Sequence, residues 1–459
     1  MLVDVTFIVS VTAAHGGVAE AFVAHELSAL ESAASASQQY WNALGNTNAG
    51  GGTVRTEHFD EATLNRVGGL ALLNGLSRLG PHQLVEYLDK NLSHLDALRE
   101  ARIAPADVSA WWTALPESSK TTLAHRAPAV VGSLDGVPAA VRGPANARSL
   151  DTAIESNREQ TASGIGKGER RKLGQQGRML EAVEKALESK AGEPKRTLLE
   201  FDERESGRAV IVIGDLDTAD YVSYLVPGMY FSVQQQIQDW TDTAADVAAE
   251  QQRWLQQAPI SERDMRVATI AWLGYQTPDL LNVGGLELAE SGADALEKSW
   301  AGIRASRADH EPYLSVLAHS YGSTAALVAL ERRAGQIDAL ALIGSPGSAS
   351  QNARELGVKN DNVFVGEAEW DPIVNTAFYG SDPGSASYGA VRIGVGGSID
   401  PLTGQALGAS VGHNAYFAPG SESLRNLALI GIGRGDWVTT PDTDDVQRER
   451  GTTLAQSSR

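Results

Sequence analysis

The sequence predicts an α/β fold: a mainly parallel sheet of eight strands, covered by helices on both faces and preceded by an α-helical region. Three observations lead there. Residues up to about 195 carry helical periodicity with almost no strand-like alternation; short β-rich runs begin at Thr197; and from Phe231 onward helical and β-rich runs alternate. Strands that alternate with helices pair in parallel, because each helix carries the chain back to the starting edge and covers a face on the way. The pattern divides the chain into a helical region over 1–195, an α/β domain over 196–435, and a flexible tail over 436–459, rich in Asp, Thr, Arg and Ser.

In the first part, GGVAEAFVAHELSALESAASASQQYWNAL and PHQLVEYLDKNLSHLDALREA are periodic helical segments. The cluster Gly50, Gly51, Gly52 and the run GSLDGVPAAVRGPANA punctuate the region into helices and loops. The pair Trp111 and Trp112 reads as a helix anchor in a core or a domain interface rather than a ligand platform. Five cations, Lys167, Arg170, Arg171, Lys172 and Arg178, read as a solvated face. The adjoining GIGKGER lacks phosphate-loop spacing and has no strand before it.

From Thr197, TLLEF, RAVIVIG and YVSYLVP are separated by the turn segments DERESG and DLDTAD, which suggests an antiparallel meander. The acids Asp215, Asp217 and Asp220 form an Asp-rich turn without the glycine and terminal glutamate of a calcium loop. Next come a helix over FSVQQQIQDWTDTAADVAAEQQRWLQQ, strand RVATIAWLG, helix ELAESGADALEKSWAGIRA, strand LSVLA, helix TAALVALERR, and strands ALALIG, NVFVGEA and AVRIGVGG.

Bulk composition limits the partners. The net charge is −19, which repels nucleic acid and anionic membranes. There is no cysteine, so thiolate catalysis, disulfides and zinc–thiolate sites are excluded, and no cofactor or metal is expected. The start, MLVDVTFIVSVTAAHGG, has no basic residue ahead of its apolar run, unlike a Sec signal. No apolar stretch approaches the roughly 18 residues of a membrane helix. The expectation is a soluble cytoplasmic protein without an integral membrane segment, with non-Sec export left open.

LSVLAHSYGS runs from a buried strand through a sharp turn at Ser320 into a helix. A serine on such a turn is pushed out of the strand only if the residues two before and two after are small. Ala318 and Gly322 meet that need, Ala318 standing where glycine is usual. An exposed serine needs a histidine to take its proton and a carboxylate to orient that histidine. Of nine histidines only His413 lies downstream, in VGHNAYF after the eighth strand. Nine acids separate the two: Glu331, Asp338, Glu355, Asp361, Glu367, Glu369, Asp371, Asp382 and Asp400. Asp371 follows the seventh strand and Pro372 ends pairing there, so it emerges at the same carboxyl edge as Ser320; Glu367 and Glu369 are the fallback. The oxyanion donors expected are the N–H of Tyr321 and, from the loop after the third strand, Gly228 and Met229. A rival small-x-Ser-x-Gly run at Ser385–Gly389 precedes a strand, not a helix, and so lacks the elbow.

The chain resembles the actinobacterial α/β-hydrolases grouped as a domain of unknown function, number 1023. The resemblance rests on ADVSAWWTALPESSKTTL, VGSLDGVPAAVRGPANARSL, GDLDTADYVSYLVPGM, AWLGYQTP, LAHSYGST, IGSPG, WDPIV and GHNAYF followed by SESLRNLALIGIG, and spans about residues 70 to 435. It implies an α/β-hydrolase fold with Ser320 as nucleophile, Asp371 as acid, His413 as base and the Val226–Met229 turn as oxyanion loop. It implies no substrate. The function expected is a serine hydrolase cleaving a carboxylic ester of a small-molecule or lipid-like acyl substrate through an acyl-enzyme. An acyltransferase or peptidase with the same triad, and a non-catalytic hydrolase-like scaffold, remain as alternatives. The helical region is open to capping the site or docking a protein partner.

Overall fold

The computed structural model describes residues 61–257, 264–332 and 337–441. The expected helix over 16–44, the cluster Gly50–Gly52, the N-terminal apolar run and all of the expected 436–459 tail beyond residue 441 lie outside the described residues; within 436–441, Thr439 N donates to Asn426 Oδ1 at 3.1 Å. The chain divides into two compact units, one ending at Gly80 and the other beginning at Pro81. In the first, α1 (Glu61–Leu64) and α2 (Gly69–Leu76) bury Leu64, Leu72 and Leu73.

The second unit opens with α3 (Pro81–Lys90), α4 (Leu92–Leu95), α5 (Pro105–Ala114), α6 (Glu117–Arg126), α7 (Pro128–Ser133), α8 (Ala139–Ala162) and α9 (Lys167–Ala186). Trp111 and Trp112 on α5 are buried, as an anchor requires. The five cations, all on α9, are exposed. The Gly- and Pro-containing run over 132–147 is not only punctuation: its second half begins α8, with Pro144 inside the helix. Tertiary contacts override the local breaker. The Asp217 carboxylate accepts from the N–H groups of Ala139 and Ala140, capping the first turn. The Asn146 amide donates to Leu199 O at 2.7 Å and Leu198 O at 3.2 Å. The Asp-rich turn is thus a helix cap. Its Asp220 also accepts from Arg266 N at 2.8 Å.

The sheet has eight strands: β1 (Arg196–Asp202), β2 (Arg208–Ile213), β3 (Tyr221–Val226), β4 (Val267–Leu273), β5 (Tyr313–His319), β6 (Ala339–Ile343), β7 (Val363–Gly366) and β8 (Val391–Arg392). Their order is β1-β2-β4-β3-β5-β6-β7-β8. The expected meander is corrected here. β1 and β2 are antiparallel, but β3 leaves β2 and pairs in parallel with β4 and β5. Every residue of β3 after Tyr221 is buried, but so is every residue of β2 after Arg208, and β2 is antiparallel; what places β3 beside β4 is made outside the strands, where Asp220 accepts from Arg266 N and ties the start of one to the other. β8 is two residues rather than the longer run expected, because Gly394, Gly396 and Gly397 follow and the carbonyl of Gly394 is taken by the Asn426 amide.

Helices α10 (Val233–Gln257), α11 (Glu287–Ser306), α12 (Tyr321–Arg332) and α13 (Glu422–Gly431) complete the fold. Side chains of alternate strand residues enter two cores. Val222, Tyr224, Leu314 and Val316 pack with Trp300 of α11 and Leu327 of α12. Leu225, Leu317 and Ile343 pack with Trp240 of α10 and Leu427 of α13. Both faces of the parallel segment are therefore sealed, and only its carboxyl edge stays open to a ligand. No helix among the described residues is long and apolar enough to cross a membrane.

Candidate active site

Ser320 stands between the last residue of β5 and the first of α12 with φ +55°, a left-handed conformation that side chains other than glycine rarely adopt. It is held there. Its N–H donates to Ile343 O on the neighbouring strand at 3.0 Å. At Gly322 a Cβ would strike the carbonyls of Pro227 and Val226, the latter at 2.7 Å, so no side chain fits two places after the serine. The methyl of Ala318, two before, is accommodated within the buried core.

Ser320, His413 and Asp371 come together. His413 Nε2 lies 2.8 Å from Ser320 Oγ, and its Nδ1 lies 2.9 and 3.0 Å from the two Asp371 oxygens. The Asp371 side chain is fully buried. Burial alone would raise its pKa; hydrogen bonds from His413, from the Tyr416 hydroxyl and from Ile373 N outweigh this and hold it below the usual carboxylate range. The fallback acids are elsewhere: Glu367 pairs with Arg392 at 3.0 Å, and Glu369 is exposed. Glu369 contributes backbone instead. It forms a bridge with Val411, and its carbonyl accepts from Gly412 N at 2.7 Å, joining the loop that carries Asp371 to the loop that carries His413.

Two supporting residues escape sequence reasoning. His319, on the strand face opposite Ala318, donates from Nε2 to the His413 carbonyl at 2.7 Å, and the two rings lie 4.7 Å apart. Burial, and then repulsion by His413, push its pKa down to about 4, so it is a neutral donor at neutral pH. Tyr416 donates to Asp371 Oδ2 at 2.6 Å and accepts from Ala368 N at 2.9 Å. Burial and the adjacent carboxylate raise its pKa, which keeps the hydroxyl a donor. A search for a base after Ser320 passes over His319 by construction. For Tyr416 a signal existed, a tyrosine three residues past the histidine in GHNAYF.

Gly228, after β3, is buried against the serine: a Cβ there would lie 2.5 Å from Ser320 Cβ and 2.9 Å from its Oγ. Only glycine lets this backbone approach, and it brings the neighbouring Met229 beside the hydroxyl. The N–H of Tyr321 opens α12 and has no partner within the helix. Ser320 and His413 open into a cleft of about 630 Å³ whose walls include Met229, Tyr230, Phe231, Trp240 and Phe417. Trp240 is fixed, donating from Nε1 to Leu225 O at 3.1 Å and meeting Phe231 and Phe417 edge-on. The rival Ser387 is exposed in a turn, 3.2 Å from Ser385 Oγ, with no helix behind it. A second cavity of about 490 Å³ is lined by charges already engaged in ion pairs, Arg99 with Asp202 among them. Among the described residues no cluster of three or more His, Cys, Asp or Glu could hold a metal.

A family model described as alpha/beta hydrolase matches residues 202–381. An uncharacterized protein of Mycobacterium tuberculosis is 27% identical over 380 residues, a match covering 72% of this chain and 56% of that relative, so this chain spans little more than half the relative's length. An uncharacterized protein of Mycobacterium bovis is 30% identical over 190 residues, 40% of this chain and 71% of the relative. Among solved structures, one from a study of two fungal esterases of Rhizomucor miehei is 11% identical, covers 62% of this chain and 96% of that one, and superposes with a TM-score of 0.32.

Proposed function

The chain belongs to the alpha/beta-hydrolase family, and from that premise we propose that it is a serine hydrolase cleaving carboxylic esters, with Ser320 as nucleophile, His413 as general base and Asp371 as the acid that orients it. We assign the chemistry to residues 196–435 and the chain to the actinobacterial branch that its sequence resembles. The observation that carries the reading is the continuous hydrogen-bonded chain from Ser320 Oγ through His413 to a buried Asp371, set on a serine at φ +55°.

In the first step Ser320 Oγ forms a bond to the ester carbonyl carbon while His413 Nε2 takes the hydroxyl proton. The carbonyl becomes an oxyanion, received by the N–H groups of Tyr321 and of the Gly228–Met229 turn, which the side-chain-free approach of Gly228 supports. The tetrahedral intermediate collapses, the bond to the alcohol oxygen breaks, and the imidazolium returns its proton to that oxygen. In the second step water gives a proton to His413 as its oxygen attacks the acyl-enzyme; the Ser320 C–O bond breaks, the proton passes to Oγ, and the carboxylic acid leaves. Asp371 stays ionised throughout, and its depressed pKa suits that role. Tyr416 and His319 are positioning residues, one on the carboxylate and the other on the backbone of the base.

The test is covalent labelling with a fluorophosphonate. Wild type should label, Ser320→Ala should not, and His413→Ala should label at a small fraction of the rate. Labelling that persists in Ser320→Ala, or wild type that stays unlabelled beside a reactive control esterase, overturns the assignment.

A further inference from the structure

The cleft over Ser320 is one-sided in charge. On α10, Gln236, Asp239, Trp240 and Thr243 line it, spaced as one face of a helix, so the solvent-exposed carboxylate of Asp239 stands on the wall beside the buried, fixed Trp240. Beyond Ser320 and the two histidines, the remaining wall is aromatic and thioether apart from the uncharged amide of Asn414. Among the described residues that line the cleft there is no Lys or Arg, and Asp239 is the single carboxylate. None of the described basic residues forms an ion pair with it, and the chain as a whole carries −19.

A phosphate or carboxylate entering this space would give up water with no cation to receive it, and would face a like charge as well. An uncharged acyl or alcohol group gains from burial against Trp240, Phe231 and Phe417. A cationic group gains twice, from Asp239 and from the aromatic faces. Resting on the serine-hydrolase reading, we propose that this cleft selects its ester by charge: it accepts uncharged or cationic esters and rejects anionic ones, acyl thioesters on phosphorylated carriers included. Asp239 is the specificity-determining residue for charge, and Trp240 forms the apolar wall.

The experiment compares second-order inactivation rates for three phosphonofluoridates with tails of equal length, ending in methyl, trimethylammonium and carboxylate, each read as loss of Ser320 labelling. Wild type should react with the carboxylate reagent at least about threefold more slowly than with the other two, as an exposed carboxylate a few ångströms away allows, and Asp239→Lys should erase most of that gap. Asp239→Asn, isosteric and safe for folding, should fall between. A carboxylate reagent as fast as the cationic one, or a ratio unmoved by Asp239→Lys, overturns charge selection while leaving the nucleophile intact. Failure of all three reagents to modify Ser320, when a control esterase is modified, refutes the serine-hydrolase reading itself and the selection with it.

Discussion

Replacing His319 by glutamine removes a titrating group while keeping a donor within reach of the His413 carbonyl. In the folded chain burial and His413 push His319 down to about 4, whereas an unfolded histidine titrates near 6.5. Between those values the unfolded chain binds more protons, so the stability this neutral histidine contributes is complete above about pH 6.5 and is lost as pH falls toward 4. Worked to pH 5, where the unfolded side chain is almost fully protonated and the folded one barely so, the loss is about 2 kcal/mol. The assay is urea unfolding followed by the fluorescence of the chain's nine tryptophans at pH 7.5 and at pH 5.0. Other groups also titrate in that interval, but they are common to both proteins, so the double difference isolates His319. Wild type should lose about 2 kcal/mol more than His319→Gln. An equal loss in the two proteins would refute the claim that the buried imidazole is held neutral.

Two further changes probe the same neighbourhood. Tyr416→Phe deletes the hydroxyl that donates to Asp371 while keeping the ring; losing a hydrogen bond to a charged acceptor should cost about 1.5–3 kcal/mol in urea unfolding and lower kcat more than it changes KM. Unchanged stability and turnover would show that the hydroxyl does not restrain the carboxylate. Gly228→Ala puts a methyl 2.5 Å from Ser320 Cβ, and should cut ester turnover on the order of 10²–10³-fold, as loss of an oxyanion donor does, with far-UV circular dichroism preserved. Wild-type turnover would move the oxyanion donors away from this turn.

Strand positions were readable because burial and period coincide. RVATIAWLG and LSVLA are mostly apolar runs of strand length, and the structure has β4 and β5 there. Pairing was not readable in the same way. The segment between β2 and β3 looks like a hairpin turn, but Asp217 in it caps α8 and Asp220 ties the start of β3 to the residue before β4, contacts made with segments tens of residues away in sequence. The site followed similar limits. Ser320, Asp371 and His413 were reached by order along the chain, because a parallel sheet delivers every strand end to one edge. His319 and Tyr416 act through a carbonyl and a carboxylate at distances only the folded chain sets. In the sequence Asp239 is one of several acids along a helical segment, and it gains meaning only from the cleft it lines and the absence of Lys and Arg from that lining.

The backbone bridge from Glu369 to Val411 has a mechanical consequence. It fastens the loops of Asp371 and His413 to each other, while Ser320 is fastened to Ile343 and to the rigid start of α12. Asp371 and His413 are therefore carried on loops that are linked to each other, and Ser320 is anchored on strands inside the sheet. Two bonds join those loops to the serine's strand, the 2.8 Å contact between His413 and Ser320 and the 2.7 Å bond from His319 to the His413 carbonyl.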